Sequence, residues 1–555
     1  MPREARAADL RPDGPLRSAA RILRGMPGAR DRRALVAVLA AVFIASVAVA
    51  ASAIRPWIAA PLAFDTAASV LHFDRIVAGH HLEQALSTTP KPLLTILYGL
   101  VYSATGDWRA ISVAALGAWG LCVAGGTLLA WRLGGVVAAV FAGVSLVVSP
   151  RLLLETSWAL GSVWALLLWI VAGLAVTAER PRWGIAGAAL GLAALARLET
   201  FLVIGLALAV LAVMRFSPSR WRQPVPAGAW RLAIGLLALP IMCLHDVLLT
   251  GDPFFWTTVA ASYSATAESA GRLPSLTTVA RDLVDLVSGQ AAVTILAFVG
   301  VAVLAARARW AILVGVLALG PGMAAFLLVL AARHTFVDPR YLMPISVAMI
   351  FAAAVGLSAI RVPDLAPLLG GPLRALGERA ARERQTASLA AVSLAVAAIA
   401  VAFAPAIGPL DRSTRVTIAS ARHIARTADR SLPRIRTALA GGAASGPGSS
   451  GTAAGVGSPA ELLVVPVPIR PRVAVELDRS LDQVGSYRDP TTWAASSPTA
   501  GQLILIDADP SASAAASAAT AAFRLSAPAT VASVRLVPLL SDPVDGAWLL
   551  QVAAP

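Results

Sequence analysis

The feature that most constrains this chain is an alternation of long apolar runs with short arginine-containing stretches, from residue 34 to about residue 404. Hydrophobic residues make up 57% of the 555 residues, charged residues only 14%, and the mean hydropathy is +0.73. Soluble domains carry about 25% charged residues. A water-soluble core cannot hide so much apolar surface, so a bilayer must solvate it. The sequence therefore predicts a mainly α, polytopic membrane protein.

The arginine distribution predicts the orientation of the chain in the plasma membrane. Residues 1–33 are polar and carry nine arginines, which predicts a cytoplasmic tail by the positive-inside rule. The run Ala34–Ile54 is long enough to span, and further spans follow, so we interpret it as an anchor and not as a removed signal peptide. Residues 34–404 then predict a transmembrane domain of about eleven helices, with the loop 55–110 on the outer face.

One apolar stretch, Gly184–Met214, is interrupted by Arg197-Leu198-Glu199. Arginines flank both of its ends, so a single span would place basic residues on both sides of the membrane. Two short helices with a turn at Arg197–Glu199 keep both basic ends inside. This interpretation also lets the backbone of the turn face a cavity instead of lipid.

The C-terminal part of the chain has a different composition. We interpret residues 405–458 as a linker that is rich in Gly, Ser and Ala toward its end. Residues 459–555 predict a small extracytoplasmic α/β domain, about 100 residues long and large enough for a modest core. Its predicted elements are a helix at RPRVAVELD and short apolar runs at 462–467, 503–507, 534–539 and 548–552. No catalytic motif is evident in it.

Several classes of function and site are excluded by charge and residue spacing. The net charge of +15 and the pI of about 11.2 do not indicate a nucleic-acid partner, because the arginines lie between apolar spans. Cys122 and Cys243 form neither a disulfide framework nor a zinc motif. His80, His81 and His334 lack the spacing of a metal site, so we expect no metal ligands.

The outer loop segment Phe64–Leu93 concentrates ionisable residues between two apolar runs. Charged groups beside a bilayer are costly unless they occupy a polar cavity or loop, so this segment is a candidate for chemistry. Lys91 is the only lysine of the protein. The ionisable residues of the segment include Asp65, Asp74, His80, His81, Glu83 and Lys91.

Four short motifs resemble those of the GT-C superfamily of membrane glycosyltransferases, in the branch with protein mannosyltransferases and aminoarabinose transferases. They occur in the family's order over most of residues 34–360. They are an acidic residue after the first span (Asp65), K-P-L at Lys91–Leu93 followed by G-D-W-R-A at Gly106–Ala110, G-L-A-A-L-A-R-L-E at Gly191–Glu199, and R-Y-L-M-P at Arg340–Pro344.

The resemblance implies inverting transfer of a sugar from a polyprenyl-phosphate donor to a hydroxyl acceptor on a cell-envelope glycan or a protein. Asp65 is then the expected general base. Arginine or lysine can neutralise the single donor phosphate without a metal, and we expect no tightly bound cofactor. The expected phosphate-binding residues are Lys91, Arg197, Arg340 and Tyr341, and the expected substrate-positioning residues are Asp74, Glu155, Glu199 and Asp252.

Several of these residues also have a structural interpretation, and for Asp74 it is an exposed face of a helix. Asp65 can cap a helix that begins near Thr66, and Lys91 can extend along the membrane interface. Arg197 can pair with Glu199, and Arg340 with Tyr341 can anchor the end of a span.

Two other functions also remain open. One is a transporter or flippase of a lipid-linked sugar, although such proteins often contain paired broken helices and we find a single break, at Arg197. The other is a non-catalytic scaffold for the cell envelope.

Overall fold

The computed structural model shows a helical body followed by a sheet. The N-terminal tail, most of the first apolar run, Glu83, the run Ala387–Phe403 and most of the linker lie outside the described residues. The residues described are 40–44, 47–48, 64–82, 86, 88–216, 225–269, 273–335, 337, 339–359, 432–433, 435–436, 463–466, 470–477, 479, 481, 484–487, 503–507, 529–531, 534–542 and 547–552.

Every described element between residues 64 and 359 is a helix. The α-helices are α1 Phe64–Val77, α2 Pro92–Thr105, α3 Trp108–Val148, α4 Pro150–Ser157, α5 Gly161–Val176, α6 Trp183–Ala196, α7 Thr200–Phe216, α8 Ala238–Thr250, α9 Phe255–Ser269, α10 Leu276–Gly289, α11 Ala291–Ala306, α12 Trp310–Leu317, α13 Met323–Ala332 and α14 Met343–Ala359. A 3₁₀ helix at Ala229–Leu237 leads into α8, a π-helical turn at Ala318–Gly322 joins α12 to α13, and a 3₁₀ turn at Pro339–Leu342 precedes α14.

Three of the described helical segments are long and apolar enough to cross a membrane: Trp108–Val148, Ala229–Thr250 and Trp310–Ala332. The pair α10 and α11, bent by 87°, makes a fourth if it is counted as one span. An α-helix satisfies its own backbone hydrogen bonds, which is why apolar sequence of this kind forms helices in lipid. The protein is therefore a membrane protein, while the number of about eleven spans stays a prediction.

The break predicted inside Gly184–Met214 is confirmed. Helix α6 ends at Ala196 and α7 begins at Thr200, so Arg197–Glu199 lies between two separate helices. Helix α3 also contains a kink, at Gly135, whose φ of 76° suits glycine. Kinks and breaks of this kind let long apolar runs change direction within the body.

Helices α11 and α14 pack with their backbones close together. A side-chain carbon added at Gly300 would overlap the carbonyl of Ala352, and one added at Gly356 would overlap the carbonyl of Leu296. Small residues at such crossings are typical of helix packing inside membranes. Helix α14 is almost wholly buried along its length, so it forms the centre of the helical body.

The described residues of the C-terminal part include a six-stranded sheet and the helix α15 Arg470–Leu477. The strand order is β2-β1-β3-β6-β5-β4; β1 pairs in parallel with β2 and β3, and the remaining pairs are antiparallel. The strands are β1 Leu463–Pro466, β2 Val484–Tyr487, β3 Leu503–Asp507, β4 Ala529–Val531, β5 Val534–Asp542 and β6 Ala547–Val552. Four of these strands and α15 lie at the apolar runs and the helix predicted from the sequence.

Candidate functional site

The centre of the candidate site is an ion pair between Asp65 and Lys91. Asp65 lies in the first turn of α1, and Lys91 is the residue that precedes α2. The Lys91 Nζ lies 3.3 Å from the Asp65 Oδ2, and 3.5 Å from the Thr88 Oγ1. The Asp65 side chain keeps 21% of its exposure and the Lys91 side chain 17%. A carboxylate and a cation therefore meet at a position that solvent still reaches.

The residue after Asp65 fixes the start of α1 against a distant loop. The Thr66 hydroxyl lies 2.9 Å from the Trp158 carbonyl oxygen and 3.2 Å from that of Ala159. The Tyr98 hydroxyl on α2 donates a 2.6 Å hydrogen bond to the same Ala159 carbonyl. Ala159 adopts a φ of 51°, a region that residues other than glycine rarely occupy. The loop 158–160 thus holds α1 and α2, and with them Asp65 and Lys91, in a common frame.

The second part of the site surrounds Arg197, at the end of α6. The Arg197 Nη2 lies 3.2 Å from the Glu199 Oε1, and its guanidinium carbon lies 5.3 Å from the centroid of the Tyr341 ring. Arg197 is buried, and a guanidinium stacked on an aromatic face is stabilised by a cation–π interaction. The ion pair expected from the sequence is therefore present, with Tyr341 added to it.

The loop that holds Asp65 also contacts the end of α6. A side-chain carbon added at Gly161 would lie 2.6 Å from the Ala196 carbonyl oxygen. Gly161 therefore permits a close approach between the start of α5 and the residue before Arg197. Because residues 158–161 contact both Thr66 and Ala196, they bring the Asp65–Lys91 pair and the Arg197 group to one region of the body.

Other residues expected at the site take different positions. Glu155 is buried on α4, whose end leads into the 158–160 loop. Asp74 is half exposed and pairs with Arg75 at 3.5 Å. The Asp252 Oδ1 accepts a hydrogen bond from the Phe254 backbone N–H, which makes it a turn residue before α9. Arg340 lies in the turn before α14, and its side chain lies outside the described part.

A buried polar cluster that the sequence analysis missed lies behind Lys91. The His245 Nδ1 is 3.2 Å from the Asp246 Oδ1, and its Nε2 is 3.3 Å from the Thr95 Oγ1. The other carboxylate oxygen of Asp246 accepts the Trp256 backbone N–H at 2.8 Å. The signal was available, because His245-Asp246 interrupts the end of an apolar run, where ionisable residues are costly.

His72, on α1, belongs to the same neighbourhood. Neither of its ring nitrogens has a hydrogen-bond partner within the described part of the chain. Burial, with smaller contributions from the charges of His245 and Lys91, lowers the pKa of His72 from 6.5 to about 3. The ring is therefore neutral at physiological pH.

The C-terminal helix α15 packs on α1 and on the start of α3. The Trp108 indole N–H donates a 2.8 Å hydrogen bond to the Glu476 Oε1, and Arg472 contacts the same oxygen at 2.7 Å. The Arg75 guanidinium donates to the Arg479 carbonyl at 2.7 Å. The sheet segment is thus attached to α1, the helix that carries Asp65, and to the start of α3.

Among the described residues, no group of three or more His, Cys, Asp or Glu side chains could hold a metal ion. His80, His81 and His334 are all exposed and do not approach the ion pair in any recorded contact.

Comparisons with known proteins gave structural matches only. No protein-family model and no curated protein matches the chain. The chain is similar to ArnT from Cupriavidus metallidurans bound to undecaprenyl phosphate, with a TM-score of 0.48, 13% identity, and coverage of 95% of this chain and 100% of that chain. The apo form of the same ArnT gives a TM-score of 0.47 at 15% identity, covering 92% and 98% of the two chains.

A further similar structure is the Archaeoglobus fulgidus oligosaccharyltransferase tethered to an acceptor peptide. It gives a TM-score of 0.46 at 12% identity, with coverage of 84% of this chain and 69% of that chain.

Proposed function

We propose that this membrane protein is a glycosyltransferase that moves a sugar, with inversion, from a polyprenyl-phosphate donor to a hydroxyl acceptor on the outer face of the membrane. The observation that carries the proposal is the Asp65–Lys91 pair at 3.3 Å, held by the same loop that contacts the end of α6 beside Arg197. A base and fixed cations are what such a transfer needs.

In the proposed reaction Asp65 takes the proton of the acceptor hydroxyl. The acceptor oxygen attacks the anomeric carbon of the donor sugar, and the bond from that carbon to the phosphate oxygen breaks. The bonding electrons leave with the lipid phosphate, so negative charge grows on that group. A single displacement of this kind inverts the configuration at the anomeric carbon.

The contacts of Lys91 suit a role at both reacting groups. An ammonium has three N–H donors, and two polar contacts, to Asp65 and Thr88, are recorded for it among the described residues. The remaining donor is available for a phosphate oxygen. Lys91 would then orient the base and neutralise the leaving group at once.

Arg197 is proposed as the second phosphate-binding group. Its planar guanidinium suits bidentate contact with phosphate. Glu199 and Tyr341 hold that guanidinium in one orientation through the ion pair at 3.2 Å and the ring contact at 5.3 Å. Positioning the cation in advance lowers the cost of binding the charge that develops. Arg340 is proposed as a further phosphate contact.

The proposal also covers the acceptor side of the site and the orientation of the chain in the membrane. Asp74, Glu155 and Asp252 are proposed to border the acceptor side, of which Glu155 lies nearest in sequence to the loop that holds Thr66. Residues 459–555 are proposed as an α/β domain on the outer face of the plasma membrane, because α15 packs on α1 and on the start of α3. The N-terminal tail is proposed to be cytoplasmic.

The proposal is tested with radiolabelled polyprenyl-phosphate sugar and the purified full chain in proteoliposomes. Loss of label from the lipid into a polar acceptor fraction is expected with the wild-type protein and not with Asp65→Asn. Undecaprenyl phosphate, the ligand of the ArnT comparison structure, serves as product inhibitor. Movement of intact labelled lipid between leaflets without transfer would identify a flippase instead. If neither transfer nor lipid movement is observed, the scaffold interpretation remains.

A further inference from the structure

A cavity of about 490 Å³ lies in the helical body away from the Asp65–Lys91 pair. Helices α3, α5, α6, α7, α12 and α14 line it almost wholly with apolar side chains, and Thr177 and Arg309 are the polar residues of that lining. Its volume is within the ~300–1,000 Å³ of small-molecule binding sites. Close-packed interiors leave few voids larger than a water molecule, so an apolar space of this size calls for an apolar occupant.

The exposed residues of the lining include Pro226, Ala308 and Trp310, which lie at one end of the helices, and this end is the mouth of the cavity. Its lining includes Trp183, the first residue of α6, and Trp310, the first residue of α12. Arg197 caps the other end of α6, so about 20 Å of helix separates the mouth from the Arg197 group at 1.5 Å per residue. The mouth therefore lies toward the opposite end of α6 from the candidate site.

The length of the cavity matches the depth of one lipid leaflet. On α7 its lining runs from Val203 to Leu211 and Met214, and on α5 from Leu166 to Thr177. Eleven residues of helix correspond to about 16 Å, whereas half of a ~30 Å hydrocarbon core is about 15 Å. A lipid acyl chain that enters from the mouth would fill it.

The mouth carries a cation and an aromatic ring suited to a lipid head group. Arg309 has no side-chain hydrogen bond or ion pair with any described residue, whereas the neighbouring Arg307 bonds the Leu133 carbonyl at 3.4 Å. Trp310 keeps 43% of its surface exposed. Tryptophan is enriched at membrane interfaces, and arginine beside the membrane surface attracts anionic lipids.

We propose that this cavity binds an acyl chain of an anionic phospholipid from the leaflet opposite to the candidate site, with the head group at Arg309 and Trp310. The proposal goes beyond the proposed transfer reaction, since it requires neither Asp65 nor Lys91. Such a lipid would fill the space between α7 and α12, and it would belong to the folded protein as a bound component.

The chain offers a filling variant and a matched control. A side-chain carbon added at Gly315 on α12 meets no atom within 4 Å, and Gly315 lines the cavity. Gly205 on α7 has equally open space and lies outside the lining. Gly315→Phe therefore places its ring in the cavity, and Gly205→Phe adds the same ring elsewhere. Ala207→Leu fills the cavity less, and replaces Gly315→Phe if that variant does not fold.

The test is native mass spectrometry of the full chain from nanodiscs that contain equal amounts of phosphatidylglycerol and phosphatidylcholine with identical acyl chains. Wild-type protein and Gly205→Phe are expected to retain phosphatidylglycerol after release, and Gly315→Phe to lose it. Arg309→Gln is expected to reduce the preference for phosphatidylglycerol about fivefold, the factor for ~1 kcal/mol per basic residue at an anionic surface. Arg281→Gln, on α10 and outside the lining, should leave that preference unchanged.

Three outcomes would overturn the proposal. The first is equal phosphatidylglycerol retention by Gly315→Phe, Ala207→Leu and the wild type. The second is retention without preference between the two phospholipids in the wild type. The third is a loss, in Gly315→Phe, of added undecaprenyl phosphate with phospholipid retention intact, since the cavity would then hold a polyprenyl chain. None of these results depends on sugar transfer, so they are separate from a failure of the proposed function.

Discussion

Asp65 and Lys91 are expected to act as a coupled pair, which a double-mutant cycle measures. The variants are Asp65→Asn, Lys91→Met and the double substitution, each close in size to the residue it replaces. The wild-type contact joins two opposite charges at 3.3 Å, with 21% and 17% of the side chains exposed. The coupling energy is the difference between the effect of the double substitution and the sum of the two single effects, and it is zero for independent side chains.

The size of the coupling follows from that geometry. At an effective dielectric constant of ~20, two unit charges 3.3 Å apart attract by about 5 kcal/mol. Desolvation of both charges and solvent access to the pocket offset part of this attraction. We therefore expect a net coupling of about 2 kcal/mol in the free energy of unfolding, within the ~0.5–3 kcal/mol found for contacting residues.

Chemical unfolding in mixed micelles, followed by tryptophan fluorescence, measures the four free energies. In parallel, Asp65→Asn is expected to slow sugar transfer by about 10²–10⁴, the contribution of a general base. Lys91→Met is expected to weaken donor binding as well. Free energies that add within ~0.5 kcal/mol would show that the two charges are not coupled. Normal transfer by well-folded Asp65→Asn would exclude Asp65 as the base.

Three further outcomes are expected. Arg197→Lys keeps the charge but loses the planar fork and the stacking on Tyr341, so donor affinity should fall about tenfold in lipid-binding titrations. The pKa of His72 is about 3 in the folded protein and 6.5 in the unfolded chain. As the pH is lowered from 6.5 to 3, the unfolded chain binds a proton that the folded protein does not, so the free energy of unfolding should fall by ~1.4 kcal/mol per pH unit. His72→Phe should flatten this dependence. Glu476→Gln weakens the acceptor of the Trp108 N–H and should speed limited proteolysis of the C-terminal segment, whereas Glu268→Gln should not.

The positions of the helices follow largely from the sequence. The described elements between residues 64 and 359 are helices, as the composition predicted, and the predicted break at Arg197–Glu199 is present. Apolar runs of this length have one way to satisfy their backbone in lipid, which is to form helices. Charged residues within such a run are costly, so the break could be located from a few residues.

The sequence was less informative about which side chains meet. The recorded hydrogen bonds of Asp252 belong to the turn before α9, and its role in positioning substrate stays a prediction. His245-Asp246 received no role, although it bonds Thr95 one helical turn after Lys91. The sequence around a loop carboxylate is similar whether the side chain caps a turn or faces a cleft. Which of these two roles it has depends on how the neighbouring helices pack.

The sequence by itself determined that this chain is a helical membrane protein with its ionisable residues gathered after the first apolar run. Composition and hydropathy are enough for this conclusion, because they determine how much apolar surface a bilayer must cover. Only the tertiary structure decided that Lys91 contacts Asp65, that Thr66 is tied to the loop at 158–159, and that Arg197 stacks on Tyr341. Those contacts join residues far apart in the chain, and they exist because small residues such as Gly161 let particular helices approach closely.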